Sequence, residues 1–221
     1  MTRIAVMQPY FAPYAGYFRL AAASDIFVIF DCVQFPRRGW VHRNRLPDGE
    51  GVVRWLTLPL AKAPQSTAIN AMRFSQDSLS RLETEARSFP DLQDRSHPLV
   101  APLFKAEGSL GDWLAEYLET TCALLGFAPR FVRSSDLNLP VGLKGQARII
   151  EIVKRLEGSS YINAPGGRDL YDPETFRAAE IELGFLAPYE GDWGSILHRL
   201  RREGPANLTR EIISQSKPLI A

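Results

Sequence analysis

Cysteine and histidine are scarce in this chain of 221 residues, and charge of either sign is nearly balanced. The two cysteines, Cys32 and Cys122, stand ninety positions apart and form no C-x-x-C, which excludes a disulfide framework and a thiolate zinc site and suits a reducing, cytoplasmic compartment. With 26 basic and 25 acidic residues there is no overall field to draw nucleic acid or an anionic membrane, so any anion site has to be local. Long apolar runs are also missing. Near the start, Ile4 to Met7 is cut off by Pro9, well short of the about 7 to 15 residues of an export signal or the about 20 of a membrane span. No repeat, low-complexity stretch or Gly/Ser-rich linker divides the chain, which points to a single domain over residues 1–221. A hydrophobic content of 45% supplies its core.

The apolar pattern alternates between two periods. Ile4–Met7 and Ile26–Phe30 read as short buried strands, and between them Tyr14, Tyr17, Phe18, Ala21 and Ala22 recur at helical spacing over 14–24. Strand, helix and strand within thirty residues predict a parallel sheet. Trp40–Leu46 and Val52–Leu58 then alternate around Pro47-Asp-Gly-Glu-Gly51, a predicted β-hairpin, and 69–74 reads as a further strand. Helical patterns follow over 79–86 and 110–125, the second capped by Gly126 and carrying Cys122 on its apolar side. A weak strand at 131–132, a strong amphipathic helix over 144–156, strands at 161–162 and 181–186, and basic helices near 195–202 and 206–215 complete the pattern. Together these predict a Rossmann-like α/β fold with a parallel sheet, an inserted hairpin and a C-terminal helical region.

Three constellations carry candidate chemistry. The first follows the first strand, where ligands of open α/β sheets bind. Its residues 8–18 include Gln8, Tyr14, Gly16 and Tyr17, and two prolines in this loop remove backbone donors, so it reads as an aromatic wall for a flat ligand rather than a phosphate cradle. The second runs from Asp31 to Arg45 and holds Cys32, Gln34, Trp40, His42, Arg43, Asn44 and Arg45. Four arginines and no acid between 37 and 45 suit phosphate or carboxylate, and strand alternation sets Trp40, His42 and Asn44 on one face with Arg43 and Arg45 on the other. His42, paired with Asp31, is the candidate general base, and Cys32 is a candidate thiolate whose ordinary role is that of a small hydrophobe. The third holds Asn163, Gly166, Gly167, Arg168, Asp169 and Tyr171 after a buried strand, with Lys144 at a helix start where a cation opposes the dipole. His97 and His198 are isolated and read as surface or capping residues, and no side-chain cluster has metal-site spacing.

The run Met7-Gln-Pro-Tyr-Phe-Ala-Pro-Tyr-Ala-Gly-Tyr-Phe18, joined to Phe30-Asp-Cys-Val-Gln-Phe35 and Arg38-Gly-Trp-Val-His-Arg-Asn-Arg-Leu46, resembles the WbqC-like family, and Tyr161–Gly167 and Asp192–Leu197 extend the resemblance over most of the chain. It implies a bacterial cytoplasmic protein of O-antigen or other polysaccharide biosynthesis, moving an acyl or glycyl-like aminoacyl group to an amino sugar. Joined to the residues above, this makes His42 with Asp31 the base for the acceptor amine, Arg43, Arg45 and Lys144 the phosphate holders, and backbone donors near Gly166 and Gly167 the oxyanion site. The expected partners are a small-molecule substrate (a sugar nucleotide or acyl donor), an acyl carrier protein and a second copy of the chain, without nucleic acid, membrane insertion or cofactor. The same N-terminal pattern is similar, more distantly, to HIGH-motif nucleotidylyl transferases such as pantothenate synthetase, with Tyr14 and Tyr17 in place of the motif's histidines and Gly16 kept. That similarity makes ATP-dependent nucleotidylyl transfer or ligation an alternative, and a non-catalytic binder of sugar nucleotide or carrier a third.

Overall fold

The computed structural model describes residues 1–221. Its main sheet holds β1 (Arg3–Met7), β2 (Ile26–Ile29), β5 (Arg130–Arg133), β6 (Ser160–Asn163), β7 (Glu182–Leu186) and β8 (Pro218–Ile220) in the order β5-β2-β1-β6-β7-β8. The first five are parallel, and β8 closes the edge antiparallel to β7. β3 (Arg43–Pro47) and β4 (Val53–Thr57) form a separate antiparallel hairpin.

Strand alternation divides the core into two layers. Ala5, Phe27, Ile29, Ile162 and Leu186 point to one side of the sheet, where they join the core formed with α1 (Arg19–Ala23), α2 (Ser78–Ala86), α3 (Leu110–Leu124), α6 (Ile196–Glu203) and α7 (Pro205–Ser214). Ile4, Val6, Ile26, Val28, Tyr161, Leu183 and Phe185 point to the other, against α4 (Gly145–Arg155) and α5 (Pro173–Ala178). A sheet covered on both faces needs continuous apolar strands, which is why short unbroken runs such as Ile4–Met7 mark them. From β1 the chain builds outward to β2 and β5, then returns to lay β6 and β7 on the opposite side. Loops leaving the carboxyl ends of β1 and β6 therefore diverge, the geometry that opens a crevice in such sheets.

Local departures from the expected pattern have identifiable causes. The helix expected over 14–24 is a 3₁₀ turn at Ala15–Phe18 followed by α1, with the Tyr17 N–H donating to the Tyr14 carbonyl. The expected strand at 69–74 is a 3₁₀ turn at Ile69–Ala71, because the N–H groups of Ile69 and Asn70 are taken by the carbonyls of Val33 and Asp31 rather than by a neighbouring strand. The first hairpin strand begins at Arg43, so Trp40 and His42 lie in bends and the face assigned to them by alternation does not hold. The last strand, β8, is three residues long and begins with proline, too short a run for periodicity to reveal. No helix is long and apolar enough to cross a membrane.

Arg19 is the largest fully buried side chain. Its guanidinium donates to the carbonyl of Gln215 at 2.7 Å and of Ala187 at 2.9 Å, tying α1 to the end of α7 and to the loop that follows β7. Arg19→Met keeps most of the volume but strands both carbonyls away from water. It is expected to lower the unfolding free energy by about 3 kcal/mol, read as a shift in the urea midpoint at constant slope.

Candidate functional site

A cleft of about 700 Å³ lies beside the carboxyl edge of the sheet, and three separate segments wall it. The loop after β1 contributes Tyr10, Pro13 and Tyr14, and the hairpin region Trp40, Asn44, Arg45, Pro47 and Val53. Beyond β7 come Asp192, Trp193, Gly194 and Ser195, followed by His198 and Arg202 of α6. Hydrogen bonds at one point join all three. Ala12 adopts φ +44°, a left-handed conformation that costs energy for a residue with a Cβ. Its carbonyl accepts from Asn44 Nδ2 at 2.5 Å and from Ser195 Oγ at 2.9 Å. Asn44 also donates to the Phe11 carbonyl at 3.0 Å, while the Ile196 N–H donates to the Pro13 carbonyl at 2.9 Å.

The far wall is held by a second network. Arg199, buried in α6, donates to Glu203 and Glu211, to the Tyr189 hydroxyl at 3.0 Å and to the Asp192 carbonyl at 3.3 Å. These bonds hold Arg199 firmly charged and pull Glu203 and Glu211 below the usual carboxylate range, whereas burial raises the Tyr189 phenol. The Tyr14 ring stacks on Trp193 with centroids 4.4 Å apart, and Tyr189 lies 5.4 Å from Tyr14. Gly16 makes this possible, since a Cβ there would meet Tyr14 Cε2 at 2.3 Å and Tyr189 Cγ at 2.7 Å. Its missing side chain thus seats two rings rather than admitting a ligand.

Two guanidinium groups enter the same cleft. Arg45 is exposed and engages no carboxylate, its charge resting over Trp55 at 4.7 Å and Trp40 at 5.6 Å. Arg202 reaches Glu203 at 3.0 Å and Asp192 at 3.5 Å. His198 presents one nitrogen, Nδ1, to Asp91 Oδ2 at 2.7 Å. No group of three or more His, Cys, Asp or Glu side chains is placed to hold a metal ion.

Of the residues singled out in the sequence, Tyr14, Trp40, Asn44 and Arg45 line this cleft. Tyr17 is buried, its hydroxyl donating to the Gln8 carbonyl at 2.9 Å, so neither residue meets a ligand through those groups, and of the two tyrosines standing in for HIGH-motif histidines one faces the core. Asp31 is fully buried but is not paired with His42. Its carboxylate accepts from Arg133 Nε at 2.8 Å, Ser134 Oγ at 3.0 Å, and Ser135 N and Oγ at 3.0 and 2.9 Å, which clamps the ends of β2 and β5 together. Cys32 donates its N–H to Ser134 Oγ and stays outside the cleft walls. His42 packs its ring 5.0 Å from Phe35, with Nδ1 buried and without a partner. Gln34 donates to the Gln65 carbonyl at 2.8 Å, and Arg43 to the Arg38 carbonyl at 2.7 Å while covering Trp55.

The third constellation lies elsewhere. The ends of β2, β1 and β6 do stand side by side on one edge, yet no residue of the loop 164–172 that follows β6 walls the cleft. Asn163 caps its own turn through the Ala164 N–H at 2.8 Å, and a Cβ on Gly167 would meet Asn163 Nδ2 at 2.3 Å. Gly166 and Asp169 are exposed in the 3₁₀ turn Pro165–Leu170, Arg168 covers Phe185, and the Tyr171 hydroxyl meets that of Tyr161 at 3.3 Å. Lys144 precedes α4, exposed and away from the cleft. The sequence reading missed Trp193, His198 and Arg202. Each stands more than 140 residues from the loop it faces, and His198 and Arg202 are three and seven residues beyond the buried Ser195, on the first two turns of one helix.

A family model described as the WbqC-like protein family matches residues 8–194, a span that takes in the loop after β1, the hairpin and Trp193. Among curated proteins, the chain is 26% identical over 202 residues to the uncharacterized protein Rv1507c of Mycobacterium tuberculosis, covering 86% of this chain and 84% of that protein. No solved structure matches.

His42 leaves a signature in stability. Burial, reinforced by the neighbouring Arg43 charge, pulls its imidazole from 6.5 down to about 4. Between those values the unfolded chain binds a proton that the folded chain refuses, so this contribution is complete above the unfolded value and declines as pH falls through the window. His42→Phe is expected to flatten the dependence of the urea midpoint on pH between about 6.5 and 4; a slope equal to that of the parent protein would assign the acid sensitivity to another group.

Proposed function

The chain belongs to the WbqC-like protein family, and from the composition of its cleft we propose that it binds a nucleotide-linked amino sugar and transfers an acyl or aminoacyl group to the sugar amine. The observation that carries this reading is the stacked Tyr14–Trp193 pair sharing one cavity with Arg45 and Arg202. Flat aromatic faces suit a nucleobase or the apolar face of a sugar, and guanidinium forks suit the phosphates that join them. A volume of about 700 Å³ falls among small-molecule sites and accommodates a ligand with both parts. Arg45 supports the assignment further, because a cation resting over two contacting indoles and free of any carboxylate is held ready for an anion supplied from outside.

The transfer is an acyl substitution. The sugar amine attacks the carbonyl of an activated donor, for which a carrier-bound thioester is the chemistry proposed; a C–N bond forms, the C–S bond breaks, and the amine proton passes by way of a base to the departing thiolate. Such a reaction belongs in bacterial polysaccharide biosynthesis, the setting that the family resemblance implies. His42 does not supply the base, since it lines no wall of the cleft.

Calorimetric titration with a uridine diphosphate amino sugar, with uridine diphosphate and with the free amino sugar tests the binding step. The intact ligand is expected to bind more tightly than either fragment. Trp193→Ala and Arg45→Ala should each weaken it by about tenfold, equivalent to about 1.4 kcal/mol, whereas Lys144→Ala leaves it unchanged. Equal affinity in all three variants would remove the cleft from consideration.

A further inference from the structure

Histidine occurs three times in the chain, and the three side chains are held in different ways. His42 keeps Nδ1 buried without a partner, and His97 accepts the Leu99 N–H at Nδ1 at 3.2 Å. His198 alone lines the cleft and sets Nδ1 2.7 Å from a carboxylate, that of Asp91, 107 positions earlier in the chain. Asp91 comes from the 3₁₀ turn Pro90–Leu92, and its side chain is only 13% exposed, with Arg201 Nε 3.8 Å from its other oxygen. An ionised carboxylate can only accept, so in the neutral imidazole Nδ1 carries the hydrogen and Nε2 the lone pair. Nε2 takes no hydrogen bond from the protein. A ring that lines the cleft, oriented by a carboxylate at one nitrogen and without a protein partner at the other, has the arrangement a general base requires.

We infer that His198, oriented by Asp91, is the proton acceptor of the cleft. The inference rests on the substrate reading given above and assigns to that site the base that His42 does not provide. In the acyl substitution, Nε2 takes the proton from the attacking sugar ammonium-forming nitrogen as the C–N bond closes, and returns it to the thiolate as the C–S bond opens, so the imidazole ends neutral. Asp91 touches no reacting atom and is a positioning residue. Ser195, although it lines the same wall, is committed to the Ala12 carbonyl and remains a structural hydroxyl.

Diethyl pyrocarbonate provides a readout independent of any natural substrate. It is itself an activated carbonyl that the lone pair of an unprotonated imidazole attacks, leaving an N-carbethoxy group and releasing ethyl carbonate, which decomposes to ethanol and carbon dioxide. Peptide mass spectrometry distinguishes the three histidines. His198 is expected to be modified at least tenfold faster than His42 and His97, to slow severalfold in Asp91→Asn, and to be protected by a uridine diphosphate amino sugar. Modification of His198 no faster than that of His97, or indifference to Asp91→Asn, would overturn the assignment. Fast, Asp91-dependent modification without protection by the nucleotide sugar would instead overturn the substrate reading and leave the basic nitrogen in place. In a transfer assay with a thioester donor, His198→Gln should lower kcat by about a hundredfold with KM for the nucleotide sugar unchanged; a change confined to KM would make His198 a binding residue and sink the proposal.

Discussion

The carbonyl of Ala12 accepts hydrogen bonds from two side chains that are 151 residues apart, Asn44 of the hairpin and Ser195 of the segment after β7. Everything that makes a cleft of these segments depends on it. Ala12 itself stands in a left-handed conformation that favours glycine, and the bonds to its carbonyl offset that cost. With the carbonyl so held, the loop after β1 presents Tyr10 and Tyr14 to the cleft, the hairpin is fastened to the main domain by a buried amide, and the third wall closes against both. Asn44 is well suited to this role because a primary amide supplies two donors, used here on Phe11 and Ala12, and an acceptor that takes the Arg45 N–H. The same residue thereby orients the backbone from which the Arg45 guanidinium projects into the cleft.

Charge inside the molecule is used for fastening, and at the cleft Arg202 is paired with acids while Arg45 is not. Arg19 and Arg199 are buried and spend their donors on backbone carbonyls, carboxylates and a phenol around the loop after β7. Asp31 does the same from the acidic side, gathering one guanidinium, two hydroxyls and a backbone N–H at the ends of β2 and β5. A carboxylate with four donors around it has little capacity left for catalysis, and its burial is explained without any. Arg45, by contrast, lines the cleft with no acid partner, its charge resting on the faces of Trp55 and Trp40.

Four of the fourteen residues that line the cleft stood among the sequence candidates, and the rest were hidden for a common cause. Tyr14, Trp40, Asn44 and Arg45 stand in two dense local motifs, so composition over a few residues marks them. His42 and Asp31 stand in the same motifs, but their chemistry was set by depth: one ring is turned against Phe35, and one carboxylate is enclosed by residues about a hundred positions away. His198 carried no local signal at all, because its neighbours are those of an ordinary basic helix and its carboxylate comes from a distant turn. Pro-Gly-Gly at 165–167 shows the converse, a conspicuous motif whose glycine serves to seat Asn163.

By itself the sequence determined the parallel sheet, its two-sided core, the hairpin and the family, because each is written in the period of apolar residues or in contiguous motifs that short-range sterics and burial read directly. Tertiary structure alone decided which polar groups are spent on the scaffold and which face the cleft. That decision depends on distances between segments far apart in the chain, and a buried polar group is satisfied by whichever partner the fold brings to it.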